Sequence, residues 1–449
     1  MKFDSVLVAN RGEIALRIIK ACRELSLASI AVFSEADSQM PYLTLASKSV
    51  CVGPADPRRS YLSIPALISA AETTKAQSVH PGYGFLSEDQ HFVEICEEHG
   101  LAFIGPGKEV MEMVGNKLAA REAMARAGIP VLPGMAAPRD SGELEKAAKR
   151  VGFPMFVKSV FGGGGRGMRL VRNLEELGEA LPVASREAKA ACGDGSLYLE
   201  RALQNSRHIE VQVVVDSDGK ALQIGDRECS IQRRHQKLIE ESPALNIDMS
   251  VRQGIHRAAL DAVEAIGYHN VGTVEFVLDD SGNYYFIEMN ARIQVEHPVS
   301  EAISNLNLVA LQMDIARGKE LHVSQEDIEL KGHAIECRIN AEDPRRGFLP
   351  SCGRLEIDRL PSGNGIRVDT HIYNGMEISP YYDSLLVKVI SWGHDREEAR
   401  MRMATALEEF HVRGVATTST LVQEIIAHPA FREGVYSTQY LDESLQVDR

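Results

Sequence analysis

Tyr284-Tyr285-Phe286-Ile287-Glu288-Met289-Asn290-Ala291-Arg292-Ile293-Gln294-Val295-Glu296-His297-Pro298 packs two carboxylates, two amides, a guanidinium and an imidazole directly behind an apolar strand. Upstream, a second apolar run, Val274-Glu275-Phe276-Val277-Leu278, is joined to it by Asp279-Asp280-Ser281-Gly282-Asn283, which reads as a hairpin turn. With the turn centred on Ser281 and Gly282, Glu275 and Glu288 lie opposite one another on one face of the ladder, with Cβ atoms roughly 5 Å apart. Two facing anions repel, so such a pair asks for a cation. Two carboxylates and the Asn290 carbonyl oxygen are the hard ligands that Mg²⁺ selects, phosphate oxygens completing its octahedron. A solvated pair of strand-edge glutamates is the alternative, because a register slip of one residue turns every side chain over.

Phe156-Val157-Lys158 reads as a strand ending in a lysine, followed by Gly162-Gly163-Gly164-Gly165-Arg166-Gly167 and a short strand, Met168-Arg169-Leu170-Val171. Glycines let a backbone bring its N–H groups close to phosphate oxygens, and Lys158 and Arg166 add positive charge. The loop leads into a strand and lacks the G-x-x-x-x-G-K-[ST] pattern, so it is a hairpin flap and not a P-loop. A flexible linker would carry the same glycines without the flanking strands.

Outward from these motifs, the first hundred or so residues alternate strand and helix: Val6 to Ala9, Glu13 to Glu24, Ile30 to Phe33. Only Gly12 stands in the first turn, which excludes a G-x-G-x-x-G dinucleotide site. A helix around Lys117 to Ala127 runs into Gly128-Ile129-Pro130 and Pro133-Gly134, a boundary signal. From Arg207 the chain is strand-rich, and from Lys331 a closing segment carries turns at Pro361 to Gly365 and a helix around Arg396 to Phe410. His333 to Asn340 alternates, with Glu336, Arg338 and Asn340 on a polar face and Ile335, Cys337 and Ile339 pointing inward.

With 449 residues, 44% hydrophobic and 25% charged, the chain has the composition of a globular protein of two to four domains. A net charge of −14 argues against a nucleic-acid or anionic-membrane binder, so a basic cluster such as Arg233-Arg234-His235 with Lys237 is local and serves a small anion. The seven cysteines include no C-x-x-C and read as reduced, buried apolar residues. The N-terminus has no signal-peptide pattern and no apolar run has the length of a membrane span, which places the chain in the cytoplasm. His80 and His297 read as capping or packing histidines and Trp392 as core.

These motifs carry a family resemblance over essentially the whole length. The chain resembles biotin carboxylase, the ATP-grasp component of biotin-dependent carboxylases such as acetyl-CoA carboxylase. The matching stretches are Ala9 to Ala15, His80 to Glu88, the glycine flap, Arg227 to Lys237, Glu288 to Pro298 and Glu336 to Pro344. The resemblance implies an α/β architecture: an N-terminal Rossmann-like domain over 1–112, an ATP-grasp domain over 113–330 with a lid at about 131–203, and a strand-rich C-terminal domain over 331–449. It implies that ATP phosphorylates bicarbonate to carboxyphosphate, and that the carbon dioxide released is captured by the biotin enolate. By resemblance, Lys117, Lys158, His208 and Lys237 bind nucleotide or phosphate, with Gly163, Gly164 and Gly165 in the lid and Gln232 and His235 beside the nucleotide. Glu200, Arg201 and Leu203 sit at the adenine. Glu275, Glu288 and Asn290 hold Mg²⁺ or Mn²⁺, Glu296 is the general base, Arg292, Gln294 and the Val295 backbone hold bicarbonate, and Arg338 stabilises the enolate.

Biotin must come from elsewhere. The chain has no Ala-Met-Lys-Met acceptor and its only Met-Lys pair is Met1-Lys2. The implied partners are a biotin carboxyl carrier protein and carboxyltransferase subunits, with the chain itself a homodimer. Four positions depart from the family pattern: Phe161 for a small residue at the flap hinge, Asn116 for aspartate, Ala291 for threonine and Cys352 for proline. Phe161 puts flap kinetics in doubt. Three alternatives stay open: a component of a pyruvate or other acyl-CoA carboxylase, another ATP-grasp ligase, and a non-catalytic nucleotide-binding subunit. The joint presence of the Arg292-to-Glu296 cluster and Arg338 disfavours the second. The third would have been supported by loss of Glu296, Lys237 or a metal ligand, and none is lost.

Overall fold

β1 (Ser5–Val8), β2 (Ala28–Ser34), β3 (Lys48–Gly53), β4 (Ser78–His80) and β5 (Ala102–Phe103) form a parallel sheet in the order β3-β2-β1-β4-β5. The computed structural model describes residues 2–138, 141–161 and 168–444, without the side chains of 141, 191, 192 and 444. The central strands β1 and β2 are near-continuous buried apolar runs, helix Gly12–Glu24 packing on one face, whereas edge strand β3 is largely exposed. At the carboxyl end of β1, the Asn10 side chain donates to the carbonyls of Pro81 and Tyr83, both at 2.7 Å, which fastens the first turn to the loop after β4.

A small antiparallel sheet follows, in the order β6-β9-β7-β8: β6 (Gly134–Ala136), β7 (Met155–Ser159), β8 (Arg169–Val171) and β9 (Leu197–Arg201). Met155 and Val157 alternate inward onto Val151, Leu177 and Leu199, leaving Phe156 and Lys158 half-exposed on the other face. β7 and β8 pair as the flap reading expects. The flap residues Gly162 to Gly167, including Gly163, Gly164 and Gly165, lie outside the described residues.

An eight-stranded sheet carries the rest. β14 (Tyr284–Asn290), β13 (Asn270–Leu278), β10 (Arg207–Val215), β11 (Ala221–Arg233), β12 (Gln236–Ser242) and β15 (His333–Asn340) lie in that order and continue into Leu385–Gly393 and Ile366–Thr370. The β12–β15 pairing makes this sheet continuous across residue 330. Helix Met249–Ala265 buries Ile255, Ala259 and Val263 against Val211, Val213, Val274 and Phe276.

Three expectations need correction. The Glu336, Arg338 and Asn340 face of β15 is no solvent face: Glu336 is fully buried and the other two are half-buried, because helix His297–Ser304 covers it. Of the cysteines with described side chains, Cys22, Cys96, Cys229 and Cys337 are buried, whereas Cys51 and Cys352 are exposed. Trp392 is only partly buried, its indole N–H donating to the Lys331 carbonyl. Among the described residues, no helix is long and apolar enough to cross a membrane.

Candidate active site

β10 reads His208-Ile209-Glu210-Val211-Gln212-Val213, and its alternation decides the chemistry. Ile209, Val211 and Val213 enter the core beneath helix Met249–Ala265, so Glu210 and Gln212 turn to the other face, where both are fully buried. Cross-strand register then sets Arg227, Glu210, Glu275 and Glu288 in one row across β11, β10, β13 and β14. Glu275 and Glu288 are paired as the hairpin reading expects, but by a different route. Near the turn the register is Leu278 with Tyr284 and Phe276 with Phe286; it then shifts so that Glu275 meets Glu288. Ile287 is the extra residue of a bulge, and an unbulged ladder would have set it opposite Glu275.

Three acids in a row, Glu210 and Glu275 buried and Glu288 half-buried, need cations. Arg227, with no exposed surface, donates to Glu210, Gln212, Ser300, Thr273 and Gln294. The Lys237 ammonium reaches Glu210 at 2.5 Å, Glu275 at 3.1 Å and Glu296 at 2.6 Å. His208 Nε2 stands 2.8 Å from Glu275, and Lys117, the first residue of helix Lys117–Arg126, pairs with Glu288 at 2.7 Å. Burial alone would push the Glu275 carboxyl up, but Lys237 and His208 outweigh it and hold it well below the usual range. Burial likewise opposes the charge on Lys237, which Glu210, Glu275 and Glu296 more than restore.

Glu296 closes the row, immediately before helix His297–Ser304. One carboxylate oxygen takes Lys237, and the other takes an Arg338 nitrogen at 2.9 Å. Burial would raise its pKa; Lys237, Arg338 and Arg227 outweigh burial and keep it ionised far into the acid range. Glu296 is thus unprotonated and free to take a proton, while the two cations that lower its basicity can also hold an anionic reactant beside it. Arg292 lies alongside, its Nε 3.0 Å from Glu88 and one terminal nitrogen donating to Asn290 Oδ1 at 2.8 Å. Gln294 donates to Glu275 and accepts from Arg227, and the Val295 carbonyl accepts from Lys388.

The nucleotide-side residues form a second group. Lys158 on β7 pairs with Glu200 on β9, followed by half-buried Arg201 and Leu203. The basic run separates: Lys237 enters the acid row, Arg233 stacks on the Phe348 ring at 3.9 Å, and Arg234 and His235 form the exposed tight turn between β11 and β12. His235 meets the Phe156 ring edge-on at 6.2 Å, and Gln232 is the register partner of Lys237. The run is thus divided between the acid row, a ring contact and an exposed turn. His80 and His297 are fully buried packing histidines, with His80 Nδ1 accepting from the Gly82 N–H. Asn116 caps helix Lys117–Arg126 by accepting from the Ala119 N–H at 3.0 Å, which an aspartate would do equally. Buried Ala291 donates its N–H to Glu88, and Phe161 forms a bridge with Asn116.

Sequence reading missed Glu210, Arg227, Glu88, Glu240, Glu336 and Lys388. For Glu210 and Gln212 a signal existed, since polar residues alternating with Ile and Val in a strand mark a buried polar face. The donor set fits a hard divalent cation: Glu275 and Glu288 offer carboxylate oxygens, already neutralised by Lys237, His208 and Lys117. Asn290 Nδ2 steadies Glu275 at 2.8 Å while its Oδ1 retains a lone pair.

A small antiparallel sheet carrying Lys158 beside a large antiparallel sheet carrying paired glutamates defines an ATP-grasp enzyme. The family model described as the carbamoyl-phosphate synthase L chain ATP-binding domain matches residues 116–324, flanked by the biotin carboxylase N-terminal domain at 2–111 and C-terminal domain at 336–443. A biotin carboxylase of Pseudomonas aeruginosa is 48% identical, with 99% of each chain covered. The biotin carboxylase of Nostoc is 47% identical, again over 99% of each chain. A pyruvate carboxylase component of Methanothermobacter thermautotrophicus is 46% identical over 98% of this chain and 90% of its own. Among solved structures, the biotin carboxylase domain dimer of Hydrogenobacter thermophilus 2-oxoglutarate carboxylase, with MgADP, ADP and bicarbonate, superposes with a TM-score of 0.96. It is 45% identical and covers 100% of this chain and 99% of that one. The chain belongs to the biotin carboxylase family.

Proposed function

We propose that this chain carboxylates biotin with ATP and bicarbonate through carboxyphosphate, the biotin arriving on a separate biotin carboxyl carrier protein and leaving for carboxyltransferase subunits. The observation that carries the reading is Glu296 held between Lys237 and Arg338 at the end of the acid row. Arg292, Gln294 and the Val295 N–H hold bicarbonate where Glu296 takes its proton. Lys117, Lys158, His208 and Lys237 face the phosphates, and Glu200, Arg201, Leu203, Gln232 and His235 surround the nucleoside. Glu275, Glu288 and Asn290 would hold Mg²⁺ or Mn²⁺, which would supply positive charge to the transferring phosphoryl group. Once Glu296 is protonated, Arg338 loses one anionic partner and is available to the biotin enolate.

The three-part division at 112/113 and 330/331 follows the motifs and the limits of the matching family models. Acetyl-CoA as final acceptor, a fatty-acid-building role, a homodimer and a cytoplasmic location complete the reading. A pyruvate or other carboxylase complex is the second reading, favoured by the 46% identical pyruvate carboxylase component. The test is ADP release from ATP, Mg²⁺ and bicarbonate with and without biotin, beside Glu296→Ala. Biotin-stimulated, bicarbonate-dependent turnover that the variant lacks is the expected result, with EDTA stopping it and Mg²⁺ restoring it. Biotin-independent turnover alone would overturn it.

A further inference from the structure

A second facing pair of acids lies deeper than the first. Glu240 on β12 and Glu336 on β15 are direct register partners, both with no exposed surface. Like charges so placed repel at close range with no water to screen them. No oxygen of either carboxyl has a hydrogen-bond partner among the described residues, and only Glu240 is in ion-pair contact with the Arg338 guanidinium. The titratable and charged groups facing the pair are Lys237 from β12, Arg338 from β15, Lys388 from Leu385–Gly393, and Glu296 from the head of helix His297–Ser304. Lys388 is itself paired with Glu13 at 3.0 Å. The opposite face of β15 is apolar, packed with Met403 and Leu407.

We propose that Glu240 and Glu336 share one proton, residing on Glu336, so that Glu240 remains the carboxylate that positions Arg338 through the catalytic cycle. Burial pushes the Glu240 carboxyl up to about 7, Arg338 opposing and Glu296 adding to the rise, and burial drives Glu336 well above its usual value. In the resting site Arg338 is shared between Glu240 and Glu296. When Glu296 accepts the bicarbonate proton, a neighbouring negative charge disappears and the pull of Arg338 on Glu240 grows. The proton is then held all the more firmly on Glu336, Glu240 stays ionised, and the guanidinium keeps one anchor instead of swinging free. No proton enters or leaves the pair. Glu240 and Glu336 are positioning residues, and the proposal rests on Arg338 serving the biotin half of the reaction.

Two measurements test it. Infrared difference spectroscopy of the intact chain at about pH 8, above the first ionisation of the pair, is expected to show a protonated carboxyl that Glu336→Gln removes. In kinetics, Glu240→Gln is expected to lower biotin-stimulated kcat about ten-fold more than bicarbonate-dependent ATP cleavage without biotin, with Glu240→Asp restoring part of the difference. Absence of the carboxyl band, its survival in Glu336→Gln, or an equal loss of both activities in Glu240→Gln would overturn the proposal. The wild-type spectrum decides even where a variant fails to fold. It is also independent of turnover, so an inactive wild-type chain with the band present would count against the proposed function and not against the shared proton.

Discussion

At the residue scale, the site is a set of charges that only one another make tolerable. Arg227 and Glu296 show the two consequences. Arg227 is fully buried and bonds five side chains, so Arg227→Met leaves Glu210 with Lys237 alone and Gln212, Ser300, Thr273 and Gln294 without their shared donor, and is expected to cost roughly 3–5 kcal/mol, read as a lowered Tm. Glu296 is ionised far into the acid range, so its loss is expected to appear in rate more than in binding. Glu296→Gln should lower kcat for biotin-dependent ADP formation by roughly 10²–10⁴-fold with a much smaller change in the KM for ATP, measured by steady-state kinetics.

At the element scale, strands deliver these residues and glycines permit the strands. β15 begins just after Gly332, whose φ is +73° and where a Cβ would lie 2.2 Å from the Gly393 carbonyl oxygen. Gly332→Ala forces the two strands apart at the end that leads to Glu336 and Arg338. It is expected to cost at least about 1–3 kcal/mol by thermal unfolding and to lower biotin-stimulated turnover in the fraction that folds. The β13–β14 bulge is the corresponding device at the metal pair, bringing Glu288 rather than Ile287 opposite Glu275.

At the scale of the whole molecule, charge pairs and one sheet bind segments distant in sequence. Glu241 on β12 is held by His333, Arg396 and Tyr436, from three separate parts of the closing segment. Burial would raise its carboxyl, but hydrogen bonds from His333 and Arg396 lower it to about 2. A depressed carboxyl stabilises fully above its unfolded value and loses that contribution as pH falls through the folded one. The Tm of the wild type should therefore fall between about pH 4.5 and about pH 2 more steeply than that of Glu241→Gln. The eight-stranded sheet crosses residue 330, so a fragment 331–449 expressed alone exposes the β15 edge that β12 covers. It is expected to aggregate in size-exclusion chromatography, whereas the full chain elutes as a defined species.

Much of this was legible in residue order. The hairpin signal between Leu278 and Tyr284, the alternation of β10, the helix over Gly12–Glu24 and the lysine before the glycine run follow from periodicity and turn chemistry, which act over a few residues. The motifs of the family resemblance named Glu275, Glu288, Glu296 and Arg338. Four things were decided only by tertiary structure: the bulge at Ile287, the partition of Arg233, Arg234 and His235 away from Lys237, the burial of Glu336 and its pairing with Glu240. Each depends on which strand lies alongside and on what covers the sheet, contacts between residues tens to hundreds of positions apart. Local sequence sets a side chain's face along its own strand. Whether that face meets water, a cation or another acid is fixed when the neighbouring strands and the helix at His297 close over it.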